Sequence, residues 1–397
     1  MGPTGLPLLV ITLIVSVLAP VGTVVLWDRG RRLRVARRAG MLILCELLTL
    51  ATAGVAINRS QDFFTTWPDL LGTGYGKVVA GDRAARLAGV QPGLDRPAQA
   101  ADTGLIPYPA PAHPAPGSSE ITPARLARLH AGHKGSQVIT FTSGGPFTGY
   151  RLPMAVYLPA AYFEPAYRPD RFPVVEFLDG YPASLASWLH GLELKHFLDR
   201  AIARHEMPPA IGVVPTTDPT PPQDSECVNA ARGAQAATYL TADVPSVIER
   251  DFRAAVSRDA WALAGYSTGG FCAVNLILQH PAQYGAAISL SGYFTPITDP
   301  TTGNLYAGNA KDRAQNNPAW EITHRQLLPI SLFLAAGRGD REAMTALHRF
   351  APRLPKPITA SIAILPHGGH NETVWRKLLP PAFSWLGFHL SRPSRHP

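Results

Sequence analysis

The stretch Trp261-Ala-Leu-Ala-Gly-Tyr-Ser-Thr-Gly-Gly270 constrains the fold more than any other part of the chain. Its apolar start runs into Gly265-Tyr266-Ser267-Thr268-Gly269, a G-x-S-x-G pattern. In that pattern a strand turns sharply into a helix, and a serine at the apex holds its hydroxyl exposed. Gly265 and Gly269 lack the Cβ atoms that would collide where strand and helix approach so closely. Phe271 to His280 reads as the helix, stopped by Pro281. Such pentapeptides also occur by chance, so the weight comes from the strand before, the helix after and the partners downstream.

The chain has 397 residues and is 46% hydrophobic, only 16% charged, with 39 prolines, which divides it into membrane, linker and globular parts. Gly5 to Trp27 carries no charge and is long enough to cross about 30 Å of hydrocarbon. A cleaved signal peptide would want a basic start, a shorter apolar core and a small-x-small site. Here the basic cluster follows the apolar run, so a retained span is expected. A second run, Ala39 to Ile57, holds a single ionisable side chain, Glu46. One carboxylate in mid-span costs roughly 2.5–3.5 kcal/mol, which the rest of the run offsets. Between them, residues 28–38 hold six arginines and one aspartate, or +5 of the net +8. The basic excess is therefore a topological signal rather than a nucleic-acid-binding face. Residues 1–57 are expected to form a transmembrane hairpin with spans 5–27 and 39–57, loop 28–38 in the cytoplasm, and all that follows outside the cell membrane.

Residues 58–136 lack strong periodicity. The aromatics of Gln61 to Leu71 suit a membrane surface, and Pro107 to Pro116 is a polyproline-type spacer, so the region reads as a stalk. The globular domain is expected over 137–397. Val138–Thr142 and Arg151–Leu158 read as opening strands. Further short apolar strands lie at Pro173–Leu178, Ala210–Val214, from Trp261, Gly285–Leu290, Ile330–Ala335 and Ala360–Leu365, with a helix over Trp188–His205. Such alternation predicts an α/β fold with a mainly parallel sheet, covered by helices on both faces and antiparallel at its start.

A serine hydroxyl needs a base to take its proton, and the base needs a carboxylate to orient it. In the α/β-hydrolase order the acid and the histidine follow the serine, each at the end of a strand. Pro366-His-Gly-Gly-His-Asn-Glu372 follows the last strand; His370 is preferred to His367 because Gly368-Gly369 lets the loop turn back over the sheet edge. Gly337-Arg-Gly-Asp-Arg-Glu342 follows the preceding strand and offers Asp340, with Glu342 as second choice. The oxyanion needs two preorganised N–H donors. Thr268, just after the nucleophile, and Tyr181, in the loop after the Pro173 strand, are the candidates. No HExxH and no cysteine cluster is present, so neither a metal nor a cofactor is expected.

These residues resemble the putative esterase family of α/β-hydrolases, which includes esterase D and the mycobacterial mycolyltransferases. The likeness runs from about Val138 to Phe388 and rests on Val156-Tyr-Leu-Pro159, Leu178-Asp-Gly180, Gly265 to Gly270, Gly368-Gly-His370 and Trp375-Arg376. It looks closest to a membrane-anchored actinobacterial branch, with Glu226-Cys-Val228 and Tyr239 to Pro245 as landmarks. The resemblance implies Ser267 as nucleophile, His370 as general base, and Tyr181 and Thr268 as oxyanion donors. The mycolyltransferases use a glutamate as acid and have a tryptophan two residues after the histidine. Here that position is Glu372, and Trp375 comes later.

The expected function is therefore an extracytoplasmic, membrane-anchored serine ester hydrolase or acyltransferase acting on an acyl ester such as a lipid or envelope component. Mycolyltransferase-like transfer to a cell-envelope sugar is the alternative, and a non-catalytic binding module is the alternative of another class. The complete Ser267, Asp340 and His370 set argues against that last reading. Of three cysteines, Cys45 lies in the second span, leaving Cys227 and Cys272 for the outer domain. A compartment outside the membrane permits a bridge between them; a buried free thiol at Cys272 is the competing expectation.

Overall fold

The structure is a computed structural model that describes residues 2–29, 34–81 and 135–395. They divide into two compact units. The first gathers the chain up to Lys77 with Gly337–Arg341 and Leu365–Val374, and the second holds the remainder.

In the first unit, helix α1 spans Leu6–Leu26 and α2 spans Arg34–Gln61. Both are long and apolar enough to cross a membrane, with mean hydropathy of 2.6 and 2.0. They lie antiparallel. Ser16 Oγ meets Thr49 Oγ1 at 3.3 Å and Thr23 Oγ1 meets Cys45 Sγ at 3.3 Å. At the far end Arg59 donates to Thr4 O at 2.7 Å. The guanidinium groups of Arg37 and Arg38 donate to Trp27 O, supplying donors and positive charge where α1 runs out of both. The outer faces are bare of polar cover: Val17, Leu50 and Val24 are 61%, 62% and 75% exposed.

Of the expected stalk over 58–136, the structure describes residues 58–81 and 135–136. Asn58–Gln61 completes α2, Trp67–Leu70 forms a short helix capped by Thr66, and Val79–Ala80 forms strand β1. The polyproline stretch lies outside the described residues. A two-residue strand leaves no periodic trace, which is why the sequence alone suggests linker here.

The second unit is built on a nine-stranded sheet. After β1 come β2 Gln137–Gly144, β3 Arg151–Leu158, β4 Val174–Leu178, β5 Ile211–Pro215, β6 Trp261–Tyr266, β7 Ala286–Leu290, β8 Ser331–Gly337 and β9 Thr359–Leu365. Their order is β1-β9-β8-β7-β6-β4-β5-β3-β2. β2, β3 and β5 pair antiparallel, while β5-β4-β6-β7-β8 run parallel. β1 pairs antiparallel with β9 at the opposite edge. Every residue of β4 to β8 is buried, as strands covered on both faces must be, whereas β2 alternates in burial. The helix expected over Trp188–His205 is interrupted. A π-helical turn at Ser187–Gly191 is followed by Glu193 in the left-handed region, and a regular helix resumes over Leu194–Ala203. The turn seats Trp188 against Phe177 and Tyr266, with ring centroids 4.9 and 5.4 Å apart.

Candidate active site

β6 delivers Ser267 to the sheet's carboxyl end and the helix Thr268–Gln279 leads away from it. Ser267 has φ 55° and ψ −125°, a conformation that a non-glycine residue adopts only when its surroundings enforce it. They do so by close packing. A Cβ on Gly265 would lie 2.0 Å from Gly269 O, and one on Gly269 would lie 2.2 Å from Leu178 O. Ser267 N–H is tied to Leu290 O at 2.9 Å. Tyr266, one residue earlier, stacks on Trp375 with centroids 4.4 Å apart. Trp375 thus supports the elbow strand from the helix Glu372–Leu386, while its neighbour Arg376 pairs with Glu193 at 2.9 Å.

The loop after β4 passes directly over the serine, since a Cβ built on Gly180 would sit 3.0 Å from Ser267 Cβ. Tyr181 follows, its hydroxyl donating to Pro222 O at 2.7 Å. Thr268 opens the elbow helix, where backbone N–H groups have no intrahelical acceptor and point outward. Its hydroxyl donates to Asp224 Oδ2 at 3.3 Å. Asp179, in the β4 loop, is buried and its carboxyl is held well above the usual range by desolvation.

In the first unit, Asp340 and His370 meet. Asp340 Oδ2 lies 2.8 Å from His370 Nδ1. A carboxylate can only accept, so Nδ1 carries the proton and Nε2 is the ring's basic nitrogen. Asp340 is 1% exposed, on a tight turn closed by its own N–H to Gly337 O. Glu342 is exposed in the first turn of the helix Arg341–Phe350, and His367 is exposed as well. Of the two acids considered, only Asp340 meets a histidine, and that histidine is His370. Sequence reasoning missed Asp62 and Asp69, which bond the histidine loop from the segment after α2.

Cys227 and Cys272 are joined by a disulfide with Cα atoms 5.5 Å apart. It ties the loop that carries Asp224 and Glu226 to the elbow helix. Glu226 is fully buried and accepts from Tyr293 Oη and Ile297 N at 2.9 Å each. Desolvation outweighs those two bonds and pushes its carboxyl up to about 7. The folded state therefore holds a proton that the unfolded chain, titrating near 4.5, releases. This contribution to stability is complete below about pH 4.5 and is lost as pH rises through about 7. Glu226→Gln is expected to raise stability at pH 8 by a few kcal/mol relative to wild type, at about 1.4 kcal/mol per pH unit of displacement, and to do little at pH 4.5. Urea unfolding at the two pH values measures this.

The parallel sheet with its antiparallel start and a strained serine between β6 and its helix define the α/β-hydrolase class. Residues 146–386 match the family described as "Putative esterase", and the chain belongs to that family of hydrolases. It is 26% identical over 243 residues to an uncharacterized protein of Corynebacterium glutamicum, covering 58% of this chain and 55% of that one. The chain thus spans about half the length of this curated relative. Among solved structures it is similar to a ferulic acid esterase, with 19% identity, TM-score 0.56, and 65% of this chain and 100% of that one covered. An S-formylglutathione hydrolase from Agrobacterium tumefaciens gives 17% identity, TM-score 0.56, and coverage of 65% and 97%. A fluorophosphonate-binding serine hydrolase from Staphylococcus aureus gives 17% identity, TM-score 0.53, and coverage of 64% and 98%. At such identities these likenesses establish the fold alone.

Proposed function

We propose that this protein is a membrane-anchored serine carboxylic-ester hydrolase or acyltransferase that works through an acyl-enzyme on Ser267. The observation that carries the reading is the backbone of Ser267 itself, held at φ 55° and ψ −125° against two glycines that admit no Cβ. Strain of this kind is maintained where a nucleophile must be presented. In the proposed mechanism His370 Nε2 takes the Ser267 proton as the hydroxyl attacks the ester carbonyl. Asp340 stabilises the imidazolium that forms, and the N–H groups of Thr268 and Tyr181 hold the oxyanion. His370 then gives the proton to the departing alcohol, and water or an acceptor alcohol repeats the sequence on the acyl-enzyme. Hydrolysis and transfer to an envelope sugar differ only in that second attack. A pre-steady-state burst of p-nitrophenol from p-nitrophenyl esters tests the acyl-enzyme. An acyl adduct trapped on another residue of acid-quenched enzyme, or no covalent adduct even under burst conditions, contradicts it.

The anchoring is supported by the exposed apolar faces of α1 and α2, which water would penalise and lipid would cover. The disulfide in the catalytic part supports an extracytoplasmic setting. Asp62, the residue after α2, accepts from His370 N at 2.9 Å, which favours an acyl ester presented at the membrane surface. A reporter fused after Pro397 is expected to be active only outside the cytoplasmic membrane, and a cysteine placed within residues 28–38 is expected to resist external labelling. Labelling of that loop from outside would reverse the proposed topology.

A further inference from the structure

We propose that Asp69, assisted by Asp62, is a positioning residue for His370, so that the segment leaving the second apolar helix is a working part of the catalytic base. The inference rests on the reading of His370 as that base. The loop that carries His370 contains Gly368-Gly369, with Gly368 at φ 115°, and two adjacent backbone N–H groups that need acceptors. Both acceptors come from the segment after α2. Gly369 N–H donates to Asp69 Oδ2 at 2.9 Å, and His370 N–H donates to Asp62 O at 2.9 Å. The next residue is held from the same place. Asn371 Nδ2 donates to Phe63 O at 2.6 Å and to Asp69 Oδ1 at 3.2 Å. Three consecutive residues, with the histidine in the middle, are thus fixed by a stretch some 300 positions away in sequence.

The same stretch reaches the acid loop. The carboxylate of Asp62 takes Arg341 Nε at 2.7 Å and Nη2 at 2.6 Å, a bidentate pair directly after Asp340. Asp69 is 2% exposed, and Thr65 N–H donates to its Oδ2 at 2.9 Å. Its two oxygens therefore gather donors from the brace itself and from both sides of His370. The fit is close, since a Cβ on Gly369 would lie 2.0 Å from Asp62 O and one on Gly339 would lie 2.2 Å from Thr65 Oγ1. A base whose loop shifts by about 1 Å loses on the order of a hundredfold in rate, because proton transfer depends on alignment. Supporting carboxylates of this kind orient a ring without touching the substrate.

The test uses the full chain in detergent or lipid nanodiscs with p-nitrophenyl butyrate as probe. Asp69→Ala is expected to lower kcat by about 10–100-fold with KM within about twofold, and to slow fluorophosphonate labelling of Ser267 in the same ratio. Asp69→Asn keeps one acceptor and should fall between the two. In a His370→Ala background Asp69→Ala should cost nothing further, whereas simple loss of folded protein would lower the residual rate again. Arg341→Met, at an exposed side chain, releases Asp62 without threatening the fold and should lower kcat by about 3–10-fold. Wild-type kcat and labelling rate in Asp69→Asn and Arg341→Met, or a further loss in the His370→Ala background, would overturn the proposal. If His370→Ala itself retains full activity, the reading of the base has failed instead, and the two failures are distinct.

Discussion

Ser267→Ala and His370→Ala are each expected to lower kcat for an activated ester by roughly a millionfold, and the double variant by scarcely more. In the proposed mechanism nucleophile and base act as one unit, so that either loss would leave only binding and oxyanion stabilisation. Asp340→Asn is expected to cost roughly ten-thousandfold, because an amide facing Nδ1 favours the wrong tautomer of the ring. Glu342→Gln should stay near wild type, since that carboxylate is exposed while Asp340 holds the 2.8 Å bond to the histidine. Steady-state kinetics on the four single variants and the double decides the matter. Independent, multiplying losses in the double variant would mean that Ser267 and His370 serve different steps.

Loss of the Cys227–Cys272 bridge is expected to be the largest single stability defect. The bridge closes a loop spanning 45 positions, which in the chain-entropy picture contributes about 4 kcal/mol. Both cysteines are fully buried, so Cys227→Ala with Cys272→Ala also leaves little room for compensation by solvent. At about 2–4 °C per kcal/mol for a domain of this size, the melting temperature should fall by roughly 8–16 °C. The bridged loop carries Asp224, which holds the Thr268 hydroxyl at 3.3 Å beside Ser267. Residual activity at low temperature should accordingly fall as well as stability. Thermal melts of oxidised wild type and the double alanine variant measure this, and equal melting temperatures would contradict it.

What was legible in the sequence follows from which contacts leave local traces. The strands from Pro173 onward are runs of consecutive apolar residues because both sheet faces are covered, and their ends in the structure fall within two residues of the apolar runs. The elbow and the Asp340 and His370 loops were legible for a similar reason, since each directly follows such a strand. Other features leave no such trace. The turn at Ser187–Gly191 reads as ordinary helix because Trp188 and Leu192 stand four apart, as on one helix face. β1 is two residues long and takes its partner from β9 near the other end of the chain. In the sequence Asp69 is one more polar residue of a stretch without periodicity. Its burial arises only because Gly369, Asn371 and Thr65 converge on it, and no local pattern encodes a partner 300 residues away. Trp375 was recognised by resemblance alone, and its stacking on Tyr266 supplies the physical reason for a tryptophan there.

Fluorophosphonate labelling of the full chain tests most directly whether the strained Ser267 is the nucleophile, as proposed. One adduct is expected, on the peptide containing Ser267, formed rapidly in wild type, slowly in Asp340→Asn, and not at all in Ser267→Ala. Undiminished labelling of Ser267→Ala, or an adduct on a different residue of the wild type, would contradict it.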